Sequence, residues 1–503
     1  EFGRTHGFAS IRSPRDFERQ VPLRDYDDHQ DWMTRIGNGE KDVLTAEPVR
    51  SFVPTSGSTG ASKLIPYTAS LHQQFLRGIQ SWIADLFLHH PELMGGTAYW
   101  SVSPAATRSR YTSAGIPIGF DDDTAYIGGW QQRLVDSVMA VPGVLGQVPD
   151  IDTVRYLTLL HLVGHRNLKL ISVWNPTFLS LLMDYLPHWG DEIARDLECG
   201  ATTRSDAHTT SVPRLPADPL RARDLREALR ARTAAERHAR LWPGLRLISC
   251  WTDANAAAPS AALHQLFPHS QIQGKGLLST EGIVSFPLVG RMGAALAVRS
   301  HFFEFLPVES SGQTGASHLS QELLPGKRYE MVITTGGGLY RYRTGDLAEV
   351  TGHFHDCPLV RFLGRRDCVS DWFGEKLNEV HVSTTLAKVF DDHNVSPAFA
   401  MLACDTRPSP AYVLYIETDA PDRMLGLMGR SIEDALCGNF HYGYARRLGQ
   451  LGPVRVFRAQ EAAAGYLEHA IAGNQRAGDV KPITLDRRDI WWKVFRGQFV
   501  LQP

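Results

Sequence analysis

Short apolar runs alternate with segments of helical period over roughly the first 250 residues, which restricts the chain to a layered α/β body. The strand candidates are Ser51–Pro54, Leu168–Trp174 and Leu245–Trp251. Between the first two, Leu71, Phe75, Ile79, Trp82, Ile83, Leu86 and Phe87 repeat at the spacing of one helix face, so Leu71–His89 is expected to be helical. Asn175-Pro176 opens another apolar helix with a capping residue and then a proline at the first helical position. A shorter helix is expected at Asp27–Gly37. The Gly/Ser/Thr-rich segment Thr55–Lys63 is thereby expected in a strand–loop–helix setting.

From Arg328 the texture changes. Arg328–Thr334, Asp346–Val350 and Leu359–Leu363 read as short strands divided by Gly- or Pro-bearing turns, a β-rich subdomain of about residues 300–366. Beyond Asp367 the pattern resets: helix at Lys376–Phe390, strands at Ala398–Ala403 and Ala411–Glu417, helix around Ile432–Leu448, strand at Val454–Arg458. The expected organisation is a large layered α/β domain, 1–367, and a small mobile α+β domain, 368–503. The boundary is the charged, glycine-bearing junction Gly364–Asp371, with the hinge expected near Arg366–Asp371.

Composition excludes several classes. With 52 Lys and Arg against 54 Asp and Glu, the formal charge is −2, which argues against phosphate-backbone binding as the main task. Seven arginines in Arg221–Arg240 interleave with Asp224, Glu227 and Glu236 at helical spacing, as on a solvated surface helix. No nucleic-acid partner is expected. The 6 cysteines include no Cys-x-x-Cys pair and read as reduced thiols of a cytoplasmic protein. No apolar run reaches the ~18 residues that span a bilayer, so no membrane partner is expected, and a monomer suffices. The chain opens Glu-Phe-Gly-Arg without methionine, so its true N-terminus is expected upstream and a targeting signal stays open.

Four segments have the residue types of an active site. Thr55-Ser-Gly-Ser-Thr-Gly-Ala-Ser-Lys63 combines glycines, hydroxyls and a lysine, a composition that can cradle an anion, although it lacks the Walker ending and reads equally as a surface loop. Gly338-Leu-Tyr-Arg-Tyr-Arg-Thr-Gly-Asp346 sets two arginines on one strand face before a carboxylate that could bind vicinal hydroxyls. Its plainer reading is a Gly-Asp turn beside a salt-bridged edge strand. Ser279-Thr-Glu-Gly282 places Glu281 where it could hold Mg2+ beside a triphosphate, or it is only a helix cap. Phe362-Leu-Gly-Arg-Arg-Asp367 leads to Gly374-Glu-Lys-Leu-Asn-Glu379, otherwise a charged linker.

Taken in this order, the four segments resemble those of the adenylate-forming superfamily. With His6-Gly-Phe, Val21-Pro22, Asn38-Gly-Glu40, Lys63-Leu-Ile-Pro66, Leu241-Trp-Pro, Phe303-Glu-Phe, Gly338-Leu-Tyr-Arg and Val350-Thr-Gly352, the chain is similar to the Gretchen Hagen family of acyl acid–amido synthetases along nearly its whole length. The resemblance implies ATP and Mg2+, adenylation of a carboxylic acid to an acyl-AMP, and transfer of the acyl group to an amine or amino acid. It also implies roles. Ser56, Gly57, Ser58 and Thr59 would cradle phosphates, and Glu281 would be the metal-associated acid with Thr280 beside it. Asp346 would bind ribose and Thr252 would line the adenine pocket. Lys376 would sit near the phosphates, and Lys481 would reach the site from the C-terminal domain. Leu277 and Leu278 stand where plant members have Tyr and a small residue, and Gly115–Gly119 lacks the arginine of the plant acyl region. Neither the aromatic for adenine nor the basic group for the carboxylate therefore stands where the plant pattern has it.

The acyl pocket is expected from the helix Leu71–Leu88 and from Tyr111–Phe120, both apolar, which favours an aromatic or fatty acid. A thioester-forming acyl-CoA ligase would share the first half-reaction. A catalytically silent nucleotide-binding regulator is the alternative outside enzymology. His161-x-x-x-His165 and His353-x-His355 suggest a metal-dependent hydrolase, but the first pair lacks the zincin Glu and reads better as a packed helix face.

Overall fold

The computed structural model describes residues 1–54, 63–101, 110–119, 138–148, 150–204, 209–308, 316–366, 369–370, 372, 375, 377–473, 475, 480–481 and 483–500. The chain divides into two compact units. The first comprises Glu1–Trp174, Tyr185–Cys250 and His269–Phe362, and the second Asn175–Asp184, Trp251–Pro268 and Leu363–Pro503.

The first unit is built on three sheets. One is wholly parallel, with strands in the order Thr97–Trp100, Leu168–Ser172, Leu247–Ser249 and Gln271–Gln273. The Leu168–Ser172 strand reads Leu-Lys-Leu-Ile-Ser and is buried at every position but Lys169, as expected of a strand covered on both faces. Trp100, Ser172, Ser249 and Gln273 are register partners, so they form one row across the C-terminal edge of this sheet. A second sheet has the order Leu64–Tyr67, Ser51–Pro54, Pro117–Ile118 and Arg110–Tyr111. The third has six strands: Phe302–Pro307, Arg328–Thr334, Tyr342–Phe354, Cys357–Arg365, Ala294–Leu296 and Ser285–Pro287.

The helix Ala69–His89 begins where Thr68 Oγ1 accepts from Leu71 N–H, and its apolar stripe of Leu71, Phe75, Trp82 and Leu86 is buried. Leu71 and Phe75 join a core with Phe2, Val21, Ile65, Ile333 and Tyr342. Each fully buried side chain of this size contributes on the order of 1.5–3 kcal/mol. Leu71 and Phe75 are thus consumed by this core, which leaves less of this helix for an acyl pocket than its apolar composition suggests.

Four expectations change. Leu64–Tyr67 is a strand, antiparallel to Ser51–Pro54 with Pro54 opposite Leu64, so the Gly-rich segment connects two strands before the helix begins. Tyr342–Phe354 is one long central strand, not a short edge strand after a Gly-Asp turn. The helix expected around Ile432–Leu448 is two, Asp422–Cys437 and Phe440–Arg447, because Asn439 Oδ1 accepts from His441 and Tyr442 N–H and starts a new helix. Arg221 does not lie on a solvated face. It is buried and donates to Val163 O and Leu241 O near two helix C-termini.

The second unit wraps a five-stranded sheet, ordered Leu485–Asp486, Phe399–Asp405, Ala411–Glu417, Arg455–Gln460 and Arg496–Phe499. Period-two alternation serves both faces. Tyr412, Leu414 and Ile416 pack with Leu386, Leu425 and Ile432, while Val413 and Tyr415 pack with Trp491 and Phe495. No helix among the described residues is long and apolar enough to cross a membrane.

Candidate active site

The flanks of the Gly-rich segment are described, although Ser56, Gly57, Ser58 and Thr59 lie outside the described residues. The hydroxyl of Tyr26 accepts from Leu64 N–H at 2.7 Å, and Lys63 Nζ lies 5.5 Å from the Tyr26 ring centre. Tyr26 therefore holds the point where the segment re-enters the sheet. Burial, joined by the negative charges of Asp27 and Glu281, raises the Tyr26 phenol above its ordinary pKa.

Glu281 stands on a tight turn. Leu278 and Ile283 bridge in antiparallel fashion, Ser279 N–H donates to Gly282 O (3.1 Å) and Gly282 N–H to Ser279 O (3.3 Å), so Thr280 and Glu281 occupy the two corners. His301 supports the turn from behind. Its Nε2 accepts from Ile283 N–H (3.1 Å), which leaves the proton on Nδ1 to donate to Gln74 Oε1 (3.0 Å). Burial lowers the His301 pKa to about 4, so the ring stays neutral in this role. Gly282 has no room for a side chain, since a Cβ there would lie 2.7 Å from His301 Nε2. Gln74 Oε1 also accepts from Gly336 N–H (2.8 Å), which ties the turn and the long helix to the Gly336–Gly338 loop.

The Glu281 residue is 9% exposed, yet its carboxylate accepts no hydrogen bond from any described residue. Its oxygens are not among the buried atoms that lack a partner, so they stay open to solvent or to a ligand, as a cation site needs. The oxygen donors on this turn, Glu281 with the Ser279 and Thr280 hydroxyls, suit a hard divalent cation. No group of three or more His, Cys, Asp or Glu able to hold a metal occurs among the described residues. Mg2+ here would take its remaining ligands from water and substrate, its usual habit.

Asp346 lies on the long strand, within a bulge. Val332 pairs with Arg343 and Glu330 with Leu347, so three residues oppose one, and Gly345 takes φ +76° within the excess. Thr344 Oγ1 pins the bulge by donating to Met331 O (3.1 Å) and accepting from Asp346 N–H (3.1 Å). The two arginines before Asp346 are each paired with a carboxylate of the sheet. Arg341, at φ +46°, donates to both Glu304 carboxylate oxygens at 3.0 Å and to Glu18 O and Val21 O at 2.8 Å. Arg343 pairs with Glu330 at 2.9 and 2.7 Å. The buried Arg341 has no group left for a phosphate, whereas Arg343 is a partly exposed arginine in a bidentate pair.

In the second unit, Thr252 follows Trp251, whose ring lies 6.0 Å from Lys481 Nζ, so Thr252 and Lys481 fall together there. The Lys481 carbonyl accepts from Tyr466 Oη (3.1 Å). Lys376 lies outside the described residues. Its neighbour Glu375 is fully buried and accepts from Tyr412 Oη (2.5 Å) and Trp372 N–H (3.0 Å). His161 is buried, and burial lowers its pKa to about 4, as befits a packed helix face.

The comparisons with known proteins give these sheets and this turn a family. The model of the GH3 family N-terminal domain matches residues 1–272, and that of the GH3 family central domain matches residues 294–365. The chain belongs to the GH3 family. An indole-3-acetic acid-amido synthetase, GH3.8 of Oryza sativa subsp. indica, is 25% identical over 495 residues, 88% of this chain and 77% of the relative. GH3.6 of Arabidopsis thaliana, of the same description, is 25% identical over 77% of this chain and 68% of its own length. A solved structure of AtGH3.15 acyl acid amido synthetase in complex with 2,4-DB superposes with TM-score 0.84 at 20% identity, over 98% of this chain and 90% of that one.

Sequence reasoning passed over Tyr26, Gln74, His301 and Lys275. Lys275 carried a signal: a lysine between two glycines, just after a short parallel strand. The others are polar residues scattered over three elements, with no local pattern.

Proposed function

We infer that this protein is an ATP-dependent acyl acid–amido synthetase, which adenylates a carboxylic acid to an acyl-AMP with release of pyrophosphate and passes the acyl group to an amine, most simply an amino acid. The observation that carries the reading is Glu281, held on a supported turn with a carboxylate that no described residue hydrogen-bonds, its charge felt at Tyr26, which holds the end of the Gly/Ser/Thr segment. Family membership supports the same chemistry.

A carboxylate is a poor acylating agent because oxide is a poor leaving group. Attack of its oxygen on the α-phosphate of ATP, with departure of pyrophosphate, replaces oxide by AMP. An amine then adds to the carbonyl, AMP leaves, and the amine proton passes to solvent. Negative charge grows on the phosphate oxygens in the first step, so fixed donors and cations supply the acceleration. Mg2+ held by Glu281 would act as a Lewis acid on those oxygens. Lys63 adds charge at the end of the segment, and Ser56, Gly57, Ser58 and Thr59 are its proposed phosphate donors. Asp346 is assigned to the ribose hydroxyls, Thr280 and Thr252 to the nucleotide, and Lys376 and Lys481 to the phosphates and the reacting centre. The acid is aromatic or fatty.

Asp346→Ala is expected to raise the KM for ATP about ten- to a hundredfold, because two hydrogen bonds to a charged acceptor are lost. The KM for the acid should move little. Unchanged ATP dependence in steady-state kinetics would remove Asp346 from the nucleotide site. The activity itself is tested by acid-dependent exchange of pyrophosphate into ATP and by mass spectrometry of products formed with pooled amines and, separately, with coenzyme A.

A further inference from the structure

The C-terminal edge of the parallel sheet carries a second constellation that the adenylation chemistry leaves unused. Lys275 follows the last strand, and its Nζ lies 5.6 Å from the Trp82 ring, 5.6 Å from Trp100 and 4.8 Å from Trp174. Its hydrogen-bond partner among the described residues is a neutral one, Ser172 Oγ at 2.7 Å. An ammonium has three N–H donors, so two are left over. No carboxylate among the described residues pairs with it.

The row behind it is also short of acceptors. Ser172, Ser249 and Gln273 are register partners and share one sheet face. Gln273 Oε1 accepts from Trp82 Nε1–H (3.0 Å); since an indole only donates, this sets the amide orientation and leaves Nε2 as the free end. Gln273 Nε2 and Ser249 Oγ are buried and have no hydrogen-bond partner among the described residues. Three donors, one of them charged, therefore stand on one face without an acceptor, walled by three indole rings. Buried donors of this kind are rare unless a ligand or ordered water completes them. Parallel α/β sheets bind their ligands outside the C-terminal strand ends, which is where this row lies.

We propose that this cage seats the carboxylate of the acyl acid, with Lys275 Nζ, Ser249 Oγ and Gln273 Nε2 receiving its oxygens and Trp82, Trp100 and Trp174 packing on its apolar body. The proposal rests on the synthetase reading and names the acid subsite of that enzyme: a flat or aliphatic carboxylate, not a polyanion. Among the neighbours that bear on titration, burial lowers Lys275 to about 7 and raises the nearby Cys250 thiol to about 12. The thiol is neutral throughout the working range, so the ammonium is the titrating group. Because only the ammonium form attracts an anion, affinity is full below pH 7 and declines as pH rises through it.

Equilibrium dialysis of labelled benzoate, phenylacetate and hexanoate against the full chain tests this. At least one acid should bind saturably below roughly 10 mM. Its affinity should be level from pH 5.5 to 7 and then fall about tenfold per pH unit. Lys275→Met should weaken binding at least about tenfold and abolish the pH dependence. Lys275→Arg should keep binding and lose the pH dependence, because arginine does not titrate. Ser249→Ala deletes an unsatisfied hydroxyl, so it should fold as well as wild type while weakening binding about three- to tenfold. In pyrophosphate exchange, Lys275→Met should raise the KM of the acid and spare that of ATP. Binding indifferent to Lys275 and Ser249, absence of binding by all three acids, or a raised KM for the amine in place of the acid overturns the proposal. Lys275-dependent acid binding without exchange for any acid would instead sink the synthetase reading and leave the carboxylate site standing.

Discussion

Arg341→Leu is expected to lower the stability of the protein by about 3–5 kcal/mol, the cost of breaking a buried ion pair from one side. Arg341 is 4% exposed and Glu304 2% exposed, and the guanidinium satisfies both Glu304 oxygens along with the Glu18 and Val21 carbonyls. After the substitution Glu304 retains the Ser317 hydroxyl (2.7 Å) but no counter-charge. A urea titration reads the loss as a lowered midpoint. The double variant Arg341→Leu with Glu304→Leu should recover a large part of it, because an apolar pair of similar bulk leaves no stranded charge. Were Arg341 a phosphate ligand, the single variant would lose ATP affinity and keep its midpoint. The packing around its positive φ excludes that role.

Glu281→Gln carries the second large effect, in the opposite ledger. Acid-dependent pyrophosphate exchange is expected to fall about 10²–10³-fold, the size found when one preorganised charge-stabilising group is removed. The urea midpoint should stay within about 0.5 kcal/mol of wild type, because the carboxylate accepts no hydrogen bond from the described residues and its amide isostere fits the same corner. The fall should be partly offset by raising Mg2+. A large loss of stability with exchange preserved would make Glu281 a structural acid.

What could be read from the sequence was whatever repeats locally. The helix Ala69–His89 announced itself through a stripe of four buried apolar residues, and Ala411–Glu417 through period-two alternation. The long strand Tyr342–Phe354 did not, because the bulge at Gly345 breaks its alternation and its far end is polar. Leu64–Tyr67 is only four residues long and begins directly after a lysine, too short to show a period. The motif residues Glu281 and Asp346 were visible as candidates, whereas the groups that hold the turn were not. Gln74 and His301 are 227 positions apart and acquire their roles only when helix and sheet meet. The arginine pair was legible in part: ion pairing on a strand was the plainer expectation, but the partners, Glu304 and Glu330, sit on other strands and no local pattern names them. Lys275 was hidden for the same reason, since its three tryptophans come from three separate segments.

The central claim, that this chain makes an inert acid reactive by joining it to AMP, is tested most directly by exchange of labelled pyrophosphate into ATP over a panel of aromatic and fatty acids. Exchange should require both the acid and Mg2+, and addition of an amine pool should yield an amide and AMP. Label entering ATP without any acid, or no exchange with any acid of the panel, would contradict it; thioester formed with coenzyme A in place of amide would leave the adenylation standing and overturn only the amide step.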